Sequence, residues 1–168
     1  MQKKALVVID IQNDTSKNYK EIIDTVNRSI DWALAHDIHV VYVRHENLSD
    51  KARVFRPNTR GSELASDLKI ASKNIFTKYK QNACTSEEFM NFIKKNGIGE
   101  FYLLGADATI CVKSTCYNLT KDGYEVTVLS DCITSYDKRK VGDMLQYYES
   151  KGCMIMRFDE LLATTDQP

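Results

Sequence analysis

The segment KALVVID, residues 4–10, decides the fold class of this chain. It is a continuous apolar run with several β-branched residues, which is typical of a strand that is buried on both faces. Such strands form parallel sheets that are covered by helices on both sides, because the connections between parallel strands cross over the faces of the sheet. The run ends on Asp10, so a carboxylate is expected at the carboxyl end of a buried strand.

Extended and helical patterns alternate along the rest of the chain. Further strands are predicted at residues 39–45, 74–80, 100–106, 125–131 and 153–158, and helices at residues 18–37, 62–68, 85–97, 110–122, 137–152 and 159–164. We expect the helix at 85–97 to begin with a capping box formed by Thr85 and Glu88. Six strands alternating with helices predict an α/β fold, a three-layer α/β/α, Rossmann-like arrangement around a six-stranded, mostly parallel sheet. Because the sequence contains no repeat or linker, we expect a single domain over residues 1–168.

The composition disfavours several classes of function. The chain has 23 basic (Lys and Arg) and 23 acidic (Asp and Glu) residues, a balance that argues against nucleic-acid or membrane-surface binding. No apolar stretch approaches the ~18 residues that a membrane-spanning helix needs. No secretory signal is visible, so we expect a cytoplasmic protein. Five cysteines without a Cys-x-x-Cys pair disfavour a zinc ribbon or a redox disulfide motif.

Polar residues at the carboxyl ends of the strands are candidates for chemistry, because ligands bind at that edge of doubly wound sheets. Asp10 ends the first strand and is either a catalytic carboxylate or a cap of the following turn. Lys78 and Lys80 end the third strand, where either can point into the site and either can be solvated. His45 ends the second strand and is either a hydrogen-bonded structural residue or a ligand together with carboxylates.

The cysteines divide into one candidate nucleophile and several core residues. Cys111 lies in the first turn of a predicted helix, where unpaired N–H groups and the helix dipole favour a thiolate. It is either a nucleophile or a small buried residue. Three other cysteines are predicted to pack in the core: Cys116, Cys132 and Cys153.

The irregular segment at residues 46–73 is expected to form one wall of the site. It is polar and contains Pro57 and Gly61, both common in turns. Three arginines of this segment either bind a substrate carboxylate or stay solvated: Arg53, Arg56 and Arg60.

Three segments occur in order, each at a predicted strand end: LVVIDIQND at residues 6–14, TKYKQNAC at residues 77–84 and LLGADATICVKSTCYNL at residues 103–119. They resemble the three signature segments of the isochorismatase-like cysteine hydrolases. That superfamily includes nicotinamidases, N-carbamoylsarcosine amidohydrolase and ureidoacrylate-type amidohydrolases. The resemblance implies that three residues are catalytic: Asp10, Lys78 and Cys111.

The resemblance also implies a particular backbone around the cysteine. Family members have a cis peptide bond before the nucleophile, which corresponds here to the bond between Ala106 and Asp107. The oxyanion hole would then be formed by the backbone N–H groups of Asp107 and Cys111. We further expect three residues near the matched segments to line a substrate pocket: Gln12, His45 and Cys84.

The implied activity is cysteine-dependent hydrolysis of a small amide- or ureido-type C–N bond through a thioester acyl-enzyme. The expected partner is a small-molecule substrate without a cofactor, and the resemblance implies a homo-oligomer, a dimer or a tetramer. Nicotinamidases carry further histidines for a metal, whereas no histidine follows His45 in this chain, so no metal is expected. Two alternatives remain open: a non-catalytic binding or scaffold module, and a thiol redox sensor.

Overall fold

A computed structural model describes residues 2–165, and its elements follow the predicted alternation of strands and helices. The strands are β1 Lys3–Ile9, β2 His39–His45, β3 Ile75–Lys78, β4 Ile98–Gly105, β5 Glu125–Ile133 and β6 Met154–Met156. The α-helices are α1 Lys20–Ala35, α2 Glu87–Lys95, α3 Cys111–Lys121, α4 Val141–Ser150 and α5 Phe158–Thr165. None of the helices within residues 2–165 is both long enough and apolar enough to cross a bilayer.

The strands form a six-stranded sheet in the order β3-β2-β1-β4-β5-β6, and every neighbouring pair is parallel. This confirms the predicted α/β fold. From β1 the chain moves outward to β2 and β3, and then crosses back to β4 on the other side of β1. The strand order therefore reverses between β1 and β4, and a ligand site is expected beyond the carboxyl ends of these two strands.

The side chains of β1 pack into two hydrophobic cores, one on each face of the sheet. Leu6 and Val8 pack in a first core with apolar residues of α1 and α5, whereas Val7 and Ile9 pack in a second core with residues of α2, α3 and α4. All four side chains are fully buried, and burying each contributes about 1.5–3 kcal/mol. Burial on both faces explains why the segment has no alternating polar residues.

The start of α2 differs from the prediction. Its N-cap is Ser86, whose hydroxyl accepts a hydrogen bond from the N–H of Phe89 at 3.3 Å. The predicted capping box of Thr85 and Glu88 is therefore wrong. Thr85 belongs to the preceding 3-10 turn, where its hydroxyl donates to the carbonyl of Asn82 at 2.7 Å. Serine and threonine are both favoured N-caps, so either residue can start a helix here.

The helix predicted at residues 62–68 does not form. The chain makes one 3-10 turn at Arg60–Ser62, Leu64 pairs with Gln12 in an antiparallel bridge, and a further turn follows in which the N–H of Leu68 donates to the carbonyl of Ala65. Pairing with the segment that follows β1 satisfies backbone groups that a helix would otherwise have satisfied.

Candidate active site

Four residues with titratable side chains lie at the carboxyl edge of the sheet. Asp10 directly follows β1, His45 and Lys78 are the last residues of β2 and β3, and Cys111 is the first residue of α3, which follows β4. Because these strands are parallel and adjacent, all four residues come to the same edge, at the point where the strand order reverses.

Asp10 turns sharply away from the line of β1. Its φ of 53° lies in the left-handed region, which aspartate tolerates better than most residues, at a cost of about 1–3 kcal/mol. Its N–H donates to the carbonyl of Val43 at 2.9 Å, so the residue stays tied to β2. Only 4 % of Asp10 is exposed, so the carboxylate must find its partners inside the protein.

Lys78 contacts the other three residues. Its ammonium nitrogen lies 3.0 Å from Asp10 Oδ2, 3.0 Å from His45 Nδ1 and 3.5 Å from Cys111 Sγ. The side chain is completely buried, so the Asp10 carboxylate, rather than water, compensates its charge. Lys80 is exposed, and the structure thereby separates two lysines that the sequence leaves equivalent.

The surroundings of Cys111 favour the neutral thiol over the thiolate. Burial raises the pKa of the Cys111 thiol far above its ordinary value, and the Asp10 carboxylate raises it further, whereas the Lys78 ammonium lowers it. The position at the start of α3 favours a thiolate, but desolvation outweighs that effect.

A buried carboxylate oxygen lies close to this thiol. Asp10 Oδ2 accepts from Lys78, whereas Asp10 Oδ1 has no hydrogen-bond partner within the described residues. One oxygen of Asp10, one ring nitrogen of His45 and Cys111 Sγ all lie within 4.8 Å of one another. Buried carboxylate oxygens normally have a partner, so Oδ1 is a ready acceptor for a proton from the thiol or from a bound molecule.

The connection between β4 and α3 presents two free backbone donors. The peptide bond between Ala106 and Asp107 is cis. Within residues 2–165 the N–H groups of Asp107 and Cys111 donate to no protein acceptor, whereas the next N–H, that of Val112, donates to the Asp107 carbonyl at 3.1 Å. Unpaired N–H groups at the start of a helix are suited to bind a negatively charged oxygen.

The Asp107 side chain fixes the shape of this connection. Its Oδ1 accepts from both the N–H and the hydroxyl of Thr109, each at 2.8 Å. Its Oδ2 accepts from the N–H of Tyr136 at 3.0 Å and so ties the loop after β4 to the loop after β5. Because the second partner is 29 positions away, no local sequence pattern reveals this role.

Gly105 allows β4 to approach β1 closely. Its φ is 117°, and a Cβ atom at this position would lie 2.1 Å from the carbonyl oxygen of Ile9. Only glycine can occupy such a position. The N–H of Ala106 donates to the same carbonyl at 2.9 Å, so this contact sets the separation between Asp10, which follows Ile9, and the loop that carries Cys111.

These groups line a cavity of about 350 Å³, which we call the Cys111 cavity. The volume lies at the lower end of the ~300–1,000 Å³ that is usual for small-molecule sites. Five lining residues belong to the strand ends and the β4–α3 connection: Asp10, His45, Ala106, Asp107 and Cys111. The remaining walls come from loops and from the residue before α3: Tyr19, Asn47, Phe55, Gln81, Ile110 and Tyr136.

Two of the three residues expected in the pocket lie outside its lining, and only His45 is part of it. Gln12 is completely buried, and its amide forms hydrogen bonds with both the N–H and the carbonyl of His45, at 2.9 and 2.8 Å. It therefore clamps the backbone behind the cavity. Cys84 packs against the second core, and burial raises the pKa of its thiol to about 12.

The aromatic walls of the cavity are not evident from the sequence pattern. Tyr19 precedes α1, Phe55 has a φ of 60° with its N–H bound to Asp14 Oδ2 at 2.7 Å, and Tyr136 follows β5. They come from three separate segments, which the strand and helix periodicities do not place. The loop arginines considered as carboxylate ligands do not line the cavity: Arg53, Arg56 and Arg60.

The residues of the cluster do not fit a metal ion. Asp10, His45 and Cys111 offer ligand atoms close together, but the Lys78 ammonium lies within hydrogen-bonding distance of all three. A second cation at this point would be strongly repelled. Glu46, the carboxylate next in sequence to His45, is paired with Arg44 instead. The arrangement suits an ammonium group rather than a metal.

Comparison with known proteins places this chain in a family. The isochorismatase domain matches residues 4–160 of the chain. The isochorismatase family protein YddQ of Bacillus subtilis is 26% identical over 140 residues, which cover 78% of this chain and 78% of that protein.

Solved structures agree in fold. An isochorismatase-like hydrolase from Alkaliphilus metalliredigens superposes with a TM-score of 0.89 and 21% identity, covering 98% of this chain and 100% of that one. N-carbamoylsarcosine amidase from Thermoplasma acidophilum has a TM-score of 0.83 and 22% identity, with 95% and 98% coverage. The family match extends over nearly the whole sheet and includes Asp10, Lys78 and Cys111. The chain therefore belongs to the isochorismatase family and is a hydrolase of that family, related in fold to amidases that cleave C–N bonds.

Proposed function

We propose that this protein hydrolyses the C–N bond of a small amide or ureido compound, with Cys111 as the nucleophile, Asp10 as the general acid and base, and Lys78 as the cation that supports both. The observation that carries the proposal is the contact of one buried ammonium with both the Asp10 carboxylate and the Cys111 sulfur, at 3.0 and 3.5 Å.

The first step is a proton transfer coupled to attack. The thiol proton passes to Asp10 Oδ1, the oxygen that has no other partner within the described residues. The sulfur then forms a bond to the substrate carbonyl carbon, and the carbonyl electron pair moves onto its oxygen. Because the surroundings raise the pKa of the Cys111 thiol, a base must lie beside it, and Asp10 meets that requirement.

The negative charge on the substrate oxygen is stabilised by the backbone N–H groups of Asp107 and Cys111. Both groups are without protein acceptors in the described residues, so no existing hydrogen bond has to break. Removing one donor of this kind typically costs about 2.7–4 kcal/mol of transition-state stabilisation.

Collapse of the tetrahedral intermediate breaks the C–N bond, and Asp10 returns its proton to the leaving amine. A water molecule then attacks the thioester, gives its proton to Asp10, and the C–S bond breaks as Cys111 takes that proton back. The products are an acid and an amine, and the site returns to its starting protonation state.

The redox-sensor alternative has less support. Sensor cysteines are exposed and have a low pKa, whereas Cys111 is partly buried and the pKa of its thiol is raised. The membership of a hydrolase family likewise favours catalysis over a scaffold function.

The lining of the Cys111 cavity favours an uncharged substrate. In the part of the chain that the structure describes, no lysine or arginine lines the cavity, and its carboxylates are those of Asp10 and Asp107. A substrate carboxylate would have to be desolvated beside these two carboxylates, and Lys78, the cation next to Cys111, is already paired with Asp10. Neutral amides should therefore react faster than analogues of the same size that carry a carboxylate.

The test is a screen for ammonia release from small primary amides, ureido compounds and nicotinamide, each paired with a carboxylate-bearing analogue. Cys111→Ala should abolish release with the fold intact. Cys84→Ala is the matched control, since Cys84 lies outside the cavity, and it should retain activity. Release by Cys111→Ala at the wild-type rate would refute the proposed nucleophile.

A further inference from the structure

Building on the proposed function, we propose that His45 is a positioning residue: its Nδ1 accepts a hydrogen bond from Lys78 and thereby fixes the ammonium between Asp10 and Cys111. The residue acts through the lysine and needs no contact with the reacting bond.

The Lys78 ammonium has as many N–H donors as it has neighbouring acceptors. A lysine ammonium has three N–H groups and no acceptor. Lys78 Nζ has three neighbours at hydrogen-bonding distance, Asp10 Oδ2 at 3.0 Å, His45 Nδ1 at 3.0 Å and Cys111 Sγ at 3.5 Å. Each N–H therefore has one partner, and no position remains for a water molecule on this buried group. Without His45, one N–H would be left unsatisfied inside the protein, which is costly for a charged donor.

His45 is itself firmly placed. Its backbone is clamped on both sides by the buried amide of Gln12, at 2.9 and 2.8 Å. Its ring lies 6.0 Å from that of Phe55, between centroids. Because its backbone is held by Gln12 and its ring packs against Phe55, His45 can in turn define the position of the ammonium.

The contact also fixes the protonation of the ring. Because the ammonium can only donate, His45 Nδ1 must be unprotonated, with the proton on Nε2. Burial and the Lys78 ammonium lower the pKa of His45, and the Asp10 carboxylate opposes them. A protonated ring would turn an N–H toward the ammonium, so acid should release Lys78 from its position. The charged or titratable groups that face the ring come from three elements: Asp10 after β1, Lys78 on β3 and Cys111 on α3.

The first test measures the tautomer and the pKa of the His45 ring and needs no substrate. NMR of protein labelled at histidine should show His45 as the Nε2–H tautomer. Its pKa should rise toward the ordinary value in Lys78→Met and should not change in Lys80→Met, the matched control at an exposed lysine. A protonated Nδ1 at neutral pH, or the same pKa in all three proteins, would overturn the proposal.

The second test measures how fast iodoacetamide alkylates Cys111, because that rate depends on whether the Lys78 ammonium lies next to the thiol. His45→Asn keeps an acceptor close to the place of Nδ1, whereas His45→Leu removes it. A displaced Lys78 lowers the pKa of the Cys111 thiol less than a fixed one, so alkylation at constant pH should slow on the order of 10-fold in His45→Leu. It should stay close to wild type in His45→Asn. Equal rates in His45→Leu and wild type would refute the role.

These two tests are independent of turnover. If they succeed while the wild-type protein releases no amine from any substrate of the screen, then the proposed function fails and the positioning role stands. If turnover depends on Cys111 but both tests fail, then the positioning role of His45 fails and the proposed function stands.

Discussion

Replacing Lys78 by methionine removes the cation at the centre of the site and leaves the Asp10 carboxylate buried. Lys78 Nζ lies 3.0 Å from Asp10 Oδ2, and the two side chains are 0% and 5% exposed. With an effective dielectric constant of about 20, charges at this distance attract by about 5 kcal/mol. Removing one partner of a buried pair typically costs about 3–5 kcal/mol. Since a domain is usually stable by about 5–15 kcal/mol, Lys78→Met should fold but lose a large part of its stability.

Urea unfolding measures this loss. Trp32 is the only tryptophan of the chain. It is buried and lies 5.3 Å from the ring of Tyr102, so its fluorescence should report loss of the core. We expect a lower midpoint with an unchanged slope. Lys80→Met, the same substitution at an exposed lysine, should change the free energy of unfolding by no more than about 0.5 kcal/mol.

The double variant Lys78→Met with Asp10→Asn separates a charge effect from a packing effect. It removes both charges, so it should recover a substantial part of the stability lost in Lys78→Met alone. An equally small loss of unfolding free energy in Lys78→Met and Lys80→Met would contradict a strong interaction between Lys78 and Asp10. So would a double variant whose loss is the simple sum of the losses of the two single variants.

Three further predictions follow from the geometry. Gly105→Ala should lower the free energy of unfolding by about 2–5 kcal/mol, because φ is 117° and the new Cβ would lie 2.1 Å from the carbonyl oxygen of Ile9 in β1. The control is Gly142→Ala, where space is open, and it should leave thermal stability equal or higher. Asp10→Asn should shift the pH dependence of Cys111 alkylation to lower pH, because the carboxylate raises the thiol pKa, and a shift to higher pH would contradict this. Stability should fall as pH decreases through about 6.5, because the lowered pKa of His45 makes the unfolded chain bind the proton more readily, and urea titrations of His45→Asn should show a smaller fall.

The fold was accessible from the sequence because burial on both faces leaves a clear pattern. The uninterrupted apolar run of β1 and the strand–helix alternation together define a parallel sheet, and a parallel sheet brings its carboxyl ends to one edge. Asp10, Lys78 and Cys111 could be considered because each stands at or just beyond such an end. The preference for Lys78 over Lys80 comes from the resemblance to the family and not from the position in the strand. The fourth member, His45, stands at an equivalent place, but its partner could not be foreseen.

The rest depends on contacts between distant segments. Gln12 and His45 are 33 positions apart, and so are His45 and Lys78, so neither the clamp nor the hydrogen bond leaves a local pattern. The aromatic walls of the cavity come from irregular segments, and the periodicity of apolar residues gives no information on where such segments lie in the fold. The pKa of the Cys111 thiol depends on how deeply the finished fold buries it, which the position at the start of a helix does not show.

The most direct measurement of the central claim is mass spectrometry of the protein quenched in acid during turnover of the fastest amide from the screen. Peptide mapping should find the acyl group of that substrate on the peptide that contains Cys111. The same adduct should be absent from Cys111→Ala and present in Cys84→Ala. An adduct on another residue, or turnover by Cys111→Ala at the wild-type rate, would contradict the assignment of Cys111 as the nucleophile.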